Sequence, residues 1–428
     1  MVLLGIAVFS LAGCATMPGP MKPAPTGYTL QTRPGPEGPA LHRFPGEPQV
    51  RVRVQRSAQS ITLNSGSELN AQAGSNSRPV RMRPPVTVTR NAQGFLTQDG
   101  AGNRLQWATQ DLRFTTGTAE PLRIGENPYP GTATLYAANA GPRFDVINTL
   151  PMEQYLPGVL ERELYDSWDP AAYRAQAVAA RSYALWELDR ARQKRKAWDL
   201  ESTVASQAYV GVATNPKTTD AVRATRGIVL VYRGRVVPAF YSSAVGPAGA
   251  DGAQVFPDRA PDIMPLRGRN HGGWDQQSPR YHWAASRTTD DLARRLAAWG
   301  RDKGHPVASI RGPVAAIQIS LRNRVGRHAA YTVTDAAGQR FSLRADDLRH
   351  AANTAAPGLP KPGKDQNVFS GQFVPLITGN VVQFTRGQGY GHGVGMSQFG
   401  AQAMAQAGHN HPAILGFYYP GAALHRLY

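Results

Sequence analysis

The chain is 428 residues long, with 47 Lys and Arg against 29 Asp and Glu and a formal net charge of +18. Hydrophobic residues make up 41%, a globular content that excludes a fibrous chain, and a single cysteine excludes a disulfide framework. A basic protein suits polyanions such as nucleic acid, anionic lipid or an anionic wall polymer, but no RNA- or DNA-binding motif accompanies the charge, so no nucleic-acid partner is expected.

The N-terminus carries a location. Val2 to Ala12 is an apolar run that ends in Leu11-Ala12-Gly13-Cys14. It is too short to span a bilayer and reads as the apolar stretch of an export signal over 1–14. Leu-Ala-Gly-Cys resembles the bacterial lipobox, which implies a lipid on Cys14 and an exported lipoprotein, anchored to the membrane and facing the wall or periplasm. No Lys or Arg precedes the run, a departure from the usual signal. From Ala15 to Pro48 there are nine prolines and almost no apolar periodicity, which reads as an extended tether over 15–48.

From Gln49 the pattern changes. Val50-Arg51-Val52-Arg53-Val54 alternates as a half-buried strand does. Val86 to Thr89, Leu112 to Phe114, Thr132 to Leu135 and Arg143 to Ile147 are further short strands separated by Gly, Asn and Pro. A β-rich lobe is expected over 49–148. Beyond it, 149–428 reads as one mixed α/β core. Asp169-Pro170 is a cap and first-turn pair, and Ala171 to about Gln193 runs without Gly or Pro as a long Ala-rich helix. The helix closes on Arg190, Arg192, Lys194, Arg195 and Lys196, cations that complement its dipole. Gly227 to Phe240 reads as a hairpin turning at Arg233-Gly234, and Gly246 to Trp283 as loop. An amphipathic helix runs from Thr288 to Trp299, then strands from Val314 to Leu321 and Ala330 to Thr334, and a surface loop from Pro357 to Lys364. The fold class expected is therefore α+β, with a β-rich lobe and a mixed lobe flanking a groove.

Near the C-terminus, Gly387-Gln388-Gly389-Tyr390-Gly391-His392-Gly393-Val394-Gly395 alternates glycine with other residues and presents one imidazole. Such a run marks backbone that turns sharply or lies very close to something. It lacks the spacing of a dinucleotide fingerprint, and no Gly-Lys-Ser/Thr follows, so phosphate binding is not indicated. Ser397 offers a cap for a short helix from Gln398 to Ala407, and Gly408 its stop.

This run, with Gln398, Gln402, Ile414-Leu415 and Tyr418-Tyr419-Pro420-Gly421, resembles the C-terminal signature of the SpoIID/LytB family of peptidoglycan lytic transglycosylases and amidase enhancers. A second block agrees. Leu150-Pro151-Met152-Glu153-Gln154-Tyr155-Leu156-Pro157-Gly158-Val159 is followed by Glu163, Ser167-Trp168 and Ala175-Gln176-Ala177-Val178-Ala179-Ala180-Arg181-Ser182-Tyr183. It is similar to the family motif in which a catalytic Glu precedes an Ala-Gln-Ala-Val-Ala-Ala-Arg-Thr-Tyr helix. The resemblance implies cleavage of peptidoglycan glycan strands with Glu163 as the acid, or else stimulation of an amidase partner. No cofactor is implied.

Read from the residues alone, Glu163 competes with Glu153, Glu161 and Glu187. Its neighbours Leu160, Leu164 and Trp168 are apolar, which raises a carboxyl's pKa toward the range a general acid needs. Arg181 offers a planar fork for a carboxylate or an acetamido oxygen, the alternative being an ion pair. Tyr183 and Gln176 on the same helix are candidates for substrate contact or for packing. His392 reads either as a group beside the sugar or as the pin of the glycine turn, with the site preferred. Ser397 and Gln398 complete the candidate set, Ser397 reading as a cap rather than a nucleophile. Some relatives bind zinc through a pattern like Tyr-His-Ser-Ser-Cys-Gly-Gly-His. The matching stretch here is Tyr241-Ser242-Ser243-Ala244-Val245-Gly246-Pro247-Ala248, without those ligands. His409 and His411 have no third partner nearby, so no metal is expected.

Overall fold

Alternating strands build the first part of the molecule. The computed structural model describes residues 34–74, 76–137, 141–203 and 206–428; the expected signal segment, Cys14 and the tether up to 33 lie outside the described residues. A seven-stranded sheet has the order 200–201, 49–58, 144–151, 132–136, 111–116, 69–73, 80–82, and a six-stranded sheet the order 127–129, 122–124, 60–64, 86–91, 94–98, 104–107. Val50, Val52, Leu112, Phe114, Val86 and Val88 point inward and are fully buried, as period-two patterning requires. The sheets meet face to face, with Phe95 edge-on to Phe144 at 5.5 Å.

The tether expectation needs correction for 34–48. Gly35 donates its N–H to the Ala260 carbonyl at 2.8 Å, Ala40 bridges to Arg235, and Phe44 is buried. The proline-rich strap has no core of its own but finds partners on the body.

Helices pack against the open end of this β unit. α1 (Met152–Glu163) follows the last long strand, and α2 (Pro170–Gln193) starts where Asp169 caps the Ala171 N–H at 2.7 Å. Every residue of α2 from 175 to 186 is buried, so it is a core helix rather than an amphipathic one. Its alanines let α1, α3 (Pro216–Ala224) and the two C-terminal helices lie close around it. A single turn, α4 (Gly252–Val255), sits in the loop-rich segment. The hairpin at 228–236 forms as expected, with Arg233 and Gly234 both at positive φ.

The expectation of one core over 149–428 also gives way. Residues 282–388 form a second body with its own hydrophobic cluster around Leu292, Leu296, Tyr331, Phe341, Leu348, Phe373 and Phe384. It contains α5 (Thr289–Lys303), α6 (Ala345–Ala352) and two three-stranded antiparallel sheets. Its entering and leaving strands pair, with His282 opposite Gln388, so the chain leaves the first body and returns at one place. The first core meanwhile joins the β unit, α1 and α2 in a single cluster from Phe44 to Tyr419. The β-rich lobe therefore does not stand apart from the helices. Last come α7 (Gln398–Gln406), capped by Ser397, and α8 (His411–Tyr418), capped by Asn410. Among the described residues no helix is long and apolar enough to cross a membrane.

Candidate functional site

Glu163 is the last residue of α1, a helix that the sequence pattern does not announce. Pro157 and Gly158 hide this helix, since one lacks an N–H and the other is a poor helix former. Gly158 is required there for contact: a Cβ on it would lie 2.2 Å from the Gly211 carbonyl and 2.8 Å from the Tyr209 ring. The 206–211 segment thus lies directly on α1 and reaches Glu163.

The carboxyl of Glu163 is held from two sides. Gln398 Nε2 donates to its Oε2 at 3.0 Å, and the Ala208 N–H to its Oε1 at 3.4 Å. Burial pushes its pKa above the usual value of 4.5, against the opposing pull of those two hydrogen bonds and of Arg162. The negative end of α1's dipole also disfavours the carboxylate. The residue keeps partial exposure, so a carboxyl with a raised pKa remains open to a ligand. Leu164 and Trp168 beside it are buried. Beneath lies a neutral network: Tyr155 donates to Gln207 Oε1 at 3.2 Å, and Gln207 Nε2 donates to the Tyr241 hydroxyl at 3.1 Å and the Ala180 carbonyl at 3.2 Å. Burial keeps both phenols protonated, with the charge of Glu163 acting in the same direction. Among the described residues, no other carboxylate acts on Glu163. Glu161 binds Thr214 and Asn215, and Glu153 binds Arg181.

Of the sequence candidates, the structure brings Gln398 and Glu163 together across 235 positions. It gives the others different work. Arg181 is wholly buried and forms a two-pronged ion pair with Glu153 at 2.8 Å on both arms; its third nitrogen binds the Ile228 carbonyl. It does not face a groove, because Glu153 and the hairpin enclose its planar fork. Tyr183 packs among Trp186 and Phe240, with its hydroxyl on Glu187 and Arg259. Gln176 is 1% exposed, and neither amide atom has a protein partner. No glycan reaches these side chains without opening α2's surroundings. Ser397 is fully buried; it caps α7 through the Gly400 N–H and donates to Asp275 at 2.9 Å.

His392 is turned into the glycine run that carries it. Its Nδ1 accepts the Val394 N–H at 3.0 Å, and its ring meets Phe256 edge-on at 5.0 Å. It lines a small cavity with Arg327, His328, Arg344 and Asp346 rather than contacting Glu163. Burial, with help from the nearby Arg349 and Arg327, lowers its pKa to about 4 despite Asp346, so it is neutral at pH 7. The strip beside the glycines is filled by protein, not left open for a ligand. A Cβ on Gly393 would strike the Arg327 guanidinium at 2.3 Å, and one on Gly395 the Phe240 carbonyl at 2.0 Å. The run is a splice, hydrogen-bonded to Ala244, Tyr281, Phe369 and Ala250.

The 241–248 segment also has structural work. Tyr241 and Ser242 pair in parallel with Met396 and Ser397, and the Val245 and Ala248 carbonyls accept from Arg327. Among the described residues no three His, Cys, Asp or Glu side chains gather as a metal site. Sequence reasoning missed Gln207 and Asp275. Neither lies in a patterned segment, and their roles come from loops that only the fold brings to the site.

Residues 140–232 match the family model of SpoIID, stage II sporulation protein. The amidase enhancer of Bacillus subtilis (strain 168) is 27% identical over 296 residues, covering 63% of this chain and 40% of that protein. Stage II sporulation protein D of the same organism is 26% identical over 293 residues, covering 65% of this chain and 75% of that protein. An uncharacterized protein of Brachyspira hyodysenteriae is 28% identical over 281 residues, covering 64% of this chain and 67% of that protein. The chain thus spans about two fifths of the amidase enhancer.

Proposed function

We propose, from the likeness of the chain to SpoIID and amidase-enhancer proteins, that it is a peptidoglycan lytic transglycosylase of the SpoIID/LytB family acting through Glu163. The observation that carries this reading is a part-exposed carboxyl whose pKa burial raises, held in position by Gln398 and Ala208. Ordinary glycosidases place two carboxylates about the scissile bond. A single acid suffices where the sugar supplies its own nucleophile. Protonated Glu163 gives its proton to the glycosidic oxygen between N-acetylmuramic acid and N-acetylglucosamine, and the C1–O bond breaks. The C6 hydroxyl of the muramyl residue attacks C1, and the ionised Glu163 takes that hydroxyl's proton. The new C1–O6 bond leaves a 1,6-anhydro end, no water is consumed, and the carboxyl returns to its starting state. Gln398 keeps one oxygen fixed, and the neutral Tyr155–Gln207–Tyr241 network holds no competing charge beneath it.

Purified glycan strands incubated with the protein and examined by mass spectrometry should show anhydromuramyl ends, and Glu163→Gln should remove them. A second reading has one observation in its favour, the likeness to a protein named an amidase enhancer. Absence of anhydro ends together with a faster partner amidase would decide for it. The lipobox-like Cys14 belongs to the same proposal: a lipid there would hold the domain at the membrane facing the wall. Cys14→Ser should move the protein from the membrane to the soluble fraction.

A further inference from the structure

Beside Glu163 stands an aromatic cluster that the fold's own packing leaves partly uncovered. Tyr165, two positions after Glu163, is 58% exposed, more than any other large apolar side chain among the described residues. Its ring lies 5.5 Å from Trp168 and 5.9 Å from Phe399, and those two rings meet edge-on at 5.1 Å. Phe399 directly follows Gln398, the residue that donates to Glu163. The patch is therefore joined to the carboxyl through α1's end on one side and α7's start on the other.

The base of this patch is rigid. Trp168 is 6% exposed, its N–H bonds the Tyr165 carbonyl at 3.0 Å, and its own carbonyl accepts Lys217 Nζ at 3.0 Å. The Phe399 N–H bonds the Ser243 carbonyl at 3.1 Å. Tyr165 is tied through its backbone, which accepts the Tyr173 hydroxyl at 3.1 Å. Its ring thus adds little to the fold while exposing apolar surface to water, and a persistent exposed aromatic beside a reactive group marks a contact site.

We propose that Tyr165, supported by Trp168 and Phe399, is a stacking platform for a pyranose ring of the glycan strand, next to the bond presented to Glu163. This rests on the glycan reading above. A pyranose with equatorial substituents shows a face of C–H bonds, apolar and slightly positive, which complements the electron-rich face of an aromatic ring. The amphipathic tyrosine meets that face while its hydroxyl stays in water. No charge on the ligand is needed, so the platform recognises the sugar backbone common to every repeat rather than stem peptides. It is a positioning residue: it fixes which linkage lies at the carboxyl.

The test uses the full chain and two probes, glycan strands freed of stem peptides and a soluble N-acetylglucosamine oligomer. Tyr165→Ala should keep its melting temperature, weaken binding of both probes about tenfold and raise KM with little change in kcat, whereas Tyr165→Phe should bind as the parent does. Unchanged binding and KM in Tyr165→Ala overturn the platform, as does an altered oligomeric state with glycan binding intact, which would make Tyr165 a self-association contact. The platform and the catalytic reading fail separately. Binding that depends on Tyr165, without anhydro products from the parent, keeps the platform and removes the transglycosylase. Anhydro products from the parent that are indifferent to Tyr165 do the reverse.

Discussion

A carboxyl whose pKa burial raises responds to pH in a defined direction. Glu163 holds its proton more tightly folded than unfolded, where 4.5 is the ordinary value. Its contribution to stability is full below that value and is lost as pH rises through the folded pKa. Cleavage should fall over the same window, giving an alkaline limb above the usual carboxylate range. Glu163→Gln should abolish cleavage, a general acid being worth roughly a hundred- to ten-thousand-fold. It should also flatten that stability dependence, as melting temperatures taken across pH would show. Arg181 behaves differently. Removing it leaves Glu153 charged and buried, with Tyr428 and Gly227 as its remaining donors. Arg181→Ala should cost about 3–5 kcal/mol in denaturant unfolding, while turnover per folded molecule stays near the parent's. His392→Ala should cost about 1–3 kcal/mol for the lost Val394 hydrogen bond. Activity should then track the folded fraction, because the imidazole faces the cavity of Arg327 and Asp346. A folded mutant with no turnover would restore His392 to the sugar site.

The helices that decide where the acid stands were unequally legible. α2 announces itself by its Asp169-Pro170 start and an Ala-rich run that is free of Gly and Pro thereafter, and α7 by its Ser397 cap and its Ala and Gln content. α1 does not, because Pro157 and Gly158 break the local pattern, yet packing against α2 and the 206–211 segment holds it helical. The close contact at Gly158 makes a specific prediction. Gly158→Ala must push α1 away from Gly211 and carry Glu163 with it. Overpacking of this kind costs about 1–3 kcal/mol, and a shift at the helix end should lower kcat more than the stability loss explains. Thermal melts paired with anhydro-product yield would show it; full turnover in the folded mutant would mean that α1 accommodates the methyl in place. The glycine run teaches the converse. Its composition correctly signalled close backbone approach, but not whether a ligand or protein does the approaching.

Across the whole molecule, the second body at 282–388 is tied to the first by its paired entry and exit strands and by Arg327. That buried guanidinium bonds the Val245 and Ala248 carbonyls at 2.6 and 2.7 Å, and burial lowers its pKa to about 10, so it remains a cation at neutral pH. Arg327→Met should leave both cores folded but release the 245–250 segment. Faster amide exchange there, with unchanged protection in α2, is the expected result; uniform loss of protection would instead mean that the two bodies unfold as one.

The sequence by itself determined the α+β class, the strand alternation before 148, the capped helices, the family signatures and Glu163 as the acid to consider. Each of these is written in local periodicity, in a cap, or in a short ordered motif. Only the tertiary structure decided that Arg181, Tyr183 and Ser397 are spent on internal partners and that the glycines pack against protein. It alone set Gln207 and Gln398 around the acid and left Tyr165 uncovered beside it. The reason is physical: burial and pairing depend on segments far apart in the chain, and the same residue type serves as ligand or as scaffold according to what arrives next to it.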